Sequence, residues 1–101
     1  MNPRQLQQMA QQMQRQMQKI QEELGNETVE GSAGSYVSVT MNGHRDLQAI
    51  KLAPEVVDPD DIETLQDLIV AAVNDASKKA QELAEKRMGP LASGMKLPGL
   101  F

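Results

Sequence analysis

The chain has 101 residues, a formal net charge of −4 and 40% apolar residues, enough for one small domain with a core. It has no cysteine and one histidine, His44, which excludes disulfides, thiolate metal sites, cysteine nucleophiles and a His-rich metal centre. Tyr36 and Phe101 are the only aromatic residues, so the core must be built from Leu, Ile, Val, Ala and Met, and a platform for stacking single-stranded bases is excluded. No apolar run reaches the 18 residues or so of a membrane span. The N-terminal sequence lacks the apolar stretch of a signal peptide, so the expectation is a soluble cytoplasmic protein.

Charge is unevenly distributed. Residues 1–25 carry a net +1, residues 26–58 a net −3, residues 59–76 a net −5 and residues 77–101 a net +3. Both ends are positive and the middle is acidic.

Residues 3–24 are predicted as a helix, with Asn2 as its cap and Pro3 at its first position. Leu6, Ala10, Met13, Met17, Ile20 and Leu24 follow heptad spacing, widened by Met9, and most of the remaining surface is glutamine. Gly25-Asn26 should end the helix. A short strand over 27–31 is expected next, then a turn at Gly31-Ser32-Ala33-Gly34. From Tyr36 to Met41 the residues alternate, with Val37, Val39 and Met41 on one face.

Asn42-Gly43 is a two-residue hairpin signal, with positive φ expected at both positions. The following strand runs from about His44 to Leu52. Ile50 and Leu52 share a face that Leu47 does not, so either a bulge near Gln48 or unequal burial of the two faces is required.

Asp58 reads as the cap of a second helix, with Pro59 at its first position and Asp60, Asp61 and Glu63 in its first turn. No breaker follows until Gly89-Pro90, a stretch that would span roughly 45 Å. Residues 1–89 are thus read as one domain and residues 90–101 as an irregular tail. The fold class is α/β (α+β): helix, three antiparallel strands, long helix. The long helix exceeds its sheet, so part of it should project beside the first helix as an arm with basic tips, and its apolar residues call for a second copy of the chain.

No catalytic constellation emerges. The Asp58–Asp61 cluster is better read as a helix start than as a metal site, and His44 as a hairpin residue, since only Asp46 shares its face. No phosphate-binding glycine loop is present. Neither cofactor nor small-molecule substrate is expected.

Asp67-Leu68-Ile69-Val70-Ala71-Ala72-Val73-Asn74-Asp75-Ala76 resembles the last-helix motif of the YbaB/EbfC family of nucleoid-associated proteins. The Met/Gln-rich first helix, the Val37-x-Val39-x-Met41-Asn42-Gly43 hairpin and the segment Ser93–Leu100 agree with it in order and spacing. The resemblance implies a tweezer-shaped homodimer that binds duplex DNA non-catalytically through its protruding helices. It also implies altered DNA conformation, with roles in nucleoid organisation and gene regulation. The matching candidate DNA contacts are Arg4, Arg15, Lys19, Lys78, Lys79, Lys86 and Arg87. Asn74 and Asp75 are assigned structural roles. The alternative is a protein-interaction module that grips a partner helix through its Met-rich first helix.

Overall fold

The structure is a computed structural model that describes residues 2–95, with side-chain environments for residues 2–89. Helix α1 spans Pro3–Asn26, strands β1, β2 and β3 span Thr28–Ala33, Val37–Asn42 and Leu47–Leu52, a 3-10 turn covers Pro54–Val56, and helix α2 spans Ile62–Met95. The strands form an antiparallel sheet in the order β1-β2-β3.

Asn2 caps α1 as the sequence indicates. Its side chain accepts from the Gln5 amide at 2.9 Å, and the Gln5 side chain reaches back to the Asn2 amide. The cap of α2 is displaced from the predicted position. Asp58 closes a separate turn, accepting from the Asp60 and Asp61 amides, and Asp61 caps the helix through Thr64. An aspartate beside Pro59 serves equally well in a turn, so three neighbouring aspartates, Asp58, Asp60 and Asp61, left the boundary open to a three-residue shift. At its other end α2 passes through Gly89-Pro90 to Met95 rather than stopping there. Pro90 removes one amide, so within the helix only the Lys86 carbonyl loses its donor. The rest of the predicted tail, residues 96–101, lies outside the described residues.

The first hairpin turn also differs from the expected one. β1 continues to Ala33, and the turn is Gly34-Ser35-Tyr36, with Gly34 at φ 58°. Gly31 is not a turn residue. It lies in β1 opposite Val39, and a Cβ there would overlap the Ala72 carbonyl and the Ala76 backbone. Gly31 lets α2 approach the sheet closely through the buried residues Ala72, Ala76 and Ala80. With Ala33, Val37, Val39 and Met41 these alanines form the core, flanked by Val29, Val56, Leu68, Ile69 and Val73.

α2 covers β1 and β2 and leaves β3 bare. The register steps from Thr40↔Ala49 to Met41↔Leu47, so Gln48 is an inserted bulge residue. The bulge brings Leu47 onto the face of Ile50 and Leu52, paired with Met41, Val39 and Val37. These three β3 residues nonetheless remain 44%, 43% and 39% exposed.

The second hairpin is not a two-residue turn. The Asn42 amide bonds to the Asp46 carbonyl and the Arg45 amide to the Asn42 carbonyl, which encloses three residues. The residue at positive φ is Arg45, at 67°, and Gly43 is not among them. Gly43 is required for proximity instead, since a Cβ there would lie 2.6 Å from the Leu24 carbonyl oxygen and 2.9 Å from the Leu24 side chain. Gly43→Val should therefore destabilise the fold by about 1–3 kcal/mol through overpacking. Arg45→Gly should be neutral or stabilising by up to about 1 kcal/mol, because glycine removes the left-handed penalty. Urea denaturation of both variants checks this assignment; a destabilised Arg45→Gly would contradict it.

Candidate nucleic-acid interface

The seven candidate cations occupy two environments. Arg4, Arg15 and Lys19 are exposed on α1, and Lys78, Lys79, Lys86 and Arg87 are exposed on α2. The α2 group does not sit at an arm tip, as the sequence had suggested. β1 runs antiparallel to α2, so the Ser32 amide meets Asp75, the Glu30 carbonyl meets Lys79, and Glu27 meets Arg87. Lys78 and Lys79 thus lie alongside the sheet, and Lys86 and Arg87 lie level with the root of α1. The reason is register: the alanine contacts fix α2 against β1 along its middle, which leaves only its last turns beyond Glu27.

Two of these cations are engaged within the chain. Lys79 donates to the Glu30 carbonyl at 3.0 Å and pairs with Asp75 at 3.2 Å. Arg87 pairs with both carboxylate oxygens of Glu27. Among the described residues, Arg4, Arg15, Lys19, Lys78 and Lys86 form no ion pair.

α1 projects from the body. The molecule measures 70 × 26 × 16 Å with a radius of gyration of 19.8 Å, against about 13 Å for a compact chain of this length. Residues 2–12 are exposed on every side, Leu6 and Met9 included. The first carboxylate of the sequence is Glu22, so residues 1–21 carry three cations and no acidic side chain. Sequence reading by net charge over residues 1–25 obscured this, because Glu22 and Glu23 belong to the root. The acidic residues Asp60, Asp61, Glu63 and Asp67 are exposed at the start of α2.

The single histidine has a structural role. His44 Nε2 lies 2.7 Å from the Gln21 carbonyl, which only accepts, so this nitrogen carries the proton. Asp46 bonds to Asn42, not to His44. Among the described residues no group of three His, Cys, Asp or Glu side chains could hold a metal ion, and no helix is long and apolar enough to cross a membrane.

The family model for the YbaB/EbfC DNA-binding family matches residues 1–95. The chain belongs to that family. It is 80% identical over 99 residues to a nucleoid-associated protein of Roseiflexus sp. (strain RS-1), covering 98% of this chain and 99% of the relative. A nucleoid-associated protein of Chloroflexus aurantiacus is 66% identical over 102 residues, with both chains fully covered. The crystal structure of uncharacterized protein HP0035 from Helicobacter pylori shares the fold at a TM-score of 0.71 and 23% identity, covering 94% of this chain and 97% of that one. The family is a class of non-enzymatic proteins.

Asp75 fulfils its structural assignment, whereas Asn74 is exposed and makes no side-chain hydrogen bond among the described residues. The Ser32 amide donates to Asp75 at 3.0 Å, and this bond, followed by the one from Lys79, holds its carboxyl below the ordinary carboxylate value. The ionised form is favoured by folding, so its contribution is complete above the unfolded value and fades as pH falls through the lowered folded value. Asp75→Asn should consequently reduce stability at neutral pH and flatten the acid limb of the stability profile. Urea midpoints measured across the carboxylate range check this; an unchanged acid limb would show that Asp75 is not coupled to folding.

Proposed function

We propose that this chain is a homodimeric, nucleoid-associated protein of the cytoplasm that binds duplex DNA without catalysis and alters its conformation, with roles in nucleoid organisation and gene regulation. The observation that carries the reading is α1: a projecting helix with three cations that form no ion pair among the described residues and no carboxylate through residue 21, on a protein with 14 acidic residues. A polyanion approaching the start of α2 meets Asp60, Asp61, Glu63 and Asp67, whereas along α1 it meets Arg4, Arg15 and Lys19. Lys78 and Lys86 are further candidate contacts on α2, each exposed and one turn from Glu82. Lys79 and Arg87 share their charge with carboxylates, so they should contribute less to phosphate binding.

The bare β3 face supports the dimer. Leu47, Ile50 and Leu52 continue the core-forming face of the sheet beyond the edge of α2, and Ile62 and Val70 of α2 are also exposed. A second copy would remove this apolar surface from water. Sedimentation equilibrium should give about twice the chain mass of 11.1 kDa, and Ile50→Asp should shift the equilibrium to monomer. A wild-type monomer at micromolar concentration would remove this part of the reading.

The exposed apolar residues Leu6, Met9 and Met17 of α1 favour a second reading, a module that grips a partner helix. Mobility-shift titrations of duplex DNA at several salt concentrations separate the two. Arg4→Ala with Lys19→Ala should weaken binding similarly on unrelated duplexes and make the slope of log affinity against log salt shallower by about 0.9 per lost phosphate contact. Arg45→Ala and Lys51→Ala, on the sheet side, should have little effect. The absence of binding to any duplex at low salt would favour the partner-helix reading.

A further inference from the structure

The polar surface of α1 is ordered. At about 100° per residue, Arg4, Gln8, Gln11, Gln12, Arg15 and Lys19 fall within an arc of roughly 100°. The apolar seam of Leu6, Met9, Ala10, Met13, Met17 and Ile20 lies on the opposite side. All six polar residues are exposed, and Gln8, Gln11, Gln12 and Arg15 line one shallow concavity. Glu22, one turn beyond Lys19, marks the lower limit of the stripe.

Glutamines surround the rest of the polar surface of α1, but this arc alone gathers all three of its cations. The exposed surface of α2 mixes charges of both signs with carboxamides, with Lys78, Glu82, Glu85 and Lys86 beside Gln66, Asn74 and Gln81. The α1 stripe places neutral carboxamides between cations. A carboxamide donates and accepts at once, which matches the N6/N7 edge of adenine, and the Arg15 guanidinium matches the O6/N7 edge of guanine. The dimensions agree as well. A helix about 10–12 Å across fits a major groove about 12 Å wide. Gln8 to Arg15 spans about 10 Å, or roughly three base pairs, and Arg4 to Lys19 spans about 22 Å. The exposure of residues 2–12 on all sides leaves the approach unobstructed.

We propose that this face of α1 enters the major groove of duplex DNA, with Gln8, Gln11, Gln12 and Arg15 meeting base edges and Arg4 and Lys19 meeting flanking phosphates. The inference rests on the duplex-binding reading above and adds sequence readout to it. Because the glutamines are uncharged, they supply discrimination between sequences and leave the salt dependence to the cations.

The test uses the full-length protein and a duplex library with a randomised centre. Wild type should enrich a sequence class bound at least about tenfold more tightly than a scrambled duplex. The variant Q8A/Q11A/Q12A should lose that preference. It should retain affinity for the scrambled duplex within about twofold, an unchanged salt slope and full helicity by circular dichroism. Arg15→Lys, which keeps the charge and loses the planar fork, should also lower discrimination without changing the slope. A triple variant that keeps the preference would overturn the proposal, as would one weakened equally on every duplex. Wild type that binds all duplexes alike would overturn base readout and leave duplex binding standing. Wild type that binds no duplex would overturn both.

Discussion

A helix end leaves carbonyl groups that the helix itself cannot satisfy, and the fate of those at the C-terminus of α1 determines the shape of this molecule. The β2–β3 turn supplies the missing donors. The Gly43 amide donates to the Leu24 carbonyl at 2.8 Å and to the Glu27 carbonyl at 3.1 Å, and the Asn42 side chain donates to the Gly25 carbonyl. His44 adds a bond to the Gln21 carbonyl one turn earlier. Asn42 is itself buried, and its side-chain oxygen accepts the His44 and Asp46 amides, so the same residue shapes the turn and grips the helix. Leu24, buried beside Gly43, anchors the end from the apolar side. With its last turn held in this socket, the remainder of α1 can leave the body with few contacts of its own.

The second constraint is the close approach of α2 to β1. Gly31 and the alanines at 72, 76 and 80 bring the two backbones together, which fixes the register of helix against strand. That register sets Asp75 opposite Ser32 and Lys79 opposite Glu30, so side chains satisfy the outward backbone groups of β1 there. One edge of the sheet is thereby protected against further pairing. The other half of the apolar face, on β3, has no cover from its own chain. The asymmetry gives the protein one closed side and one side suited to association.

Electrostatic function follows from these two placements. Arg4 and Arg15 of α1 are carried away from the acidic body, while Lys79 and Arg87 are drawn back to β1 and its approach. A protein of net negative charge can thus present a positive surface, because the projecting helix carries Arg4 and Arg15 about 27 Å and about 10 Å along its axis from Glu22, its first carboxylate, at or beyond the screening distance of about 8–10 Å at ordinary salt.

Local chemistry was sufficient for the elements themselves. Asn2-Pro3 marks the start of α1, alternation marks Val37–Met41, and the conflict between Leu47 and Ile50 already called for a bulge or for unequal burial; the bulge is found, while all six β3 residues are exposed. The family and its α+β architecture were legible in the same residues. What the sequence left undecided depends on contacts between segments far apart in the chain. Gly43 carried the signature of a positive-φ turn, yet its lack of a side chain is needed for the approach of Leu24, nineteen residues earlier. Gly31 had the same appearance of a turn residue, and its function is set by Ala72 and Ala76. The position of Lys78 and Lys79 beside the sheet, rather than at a tip, depends on the α2–β1 register, which no local pattern encodes. Propensity and periodicity act over a few residues and therefore determine elements; the packing of small residues across the core decides where those elements carry their charges.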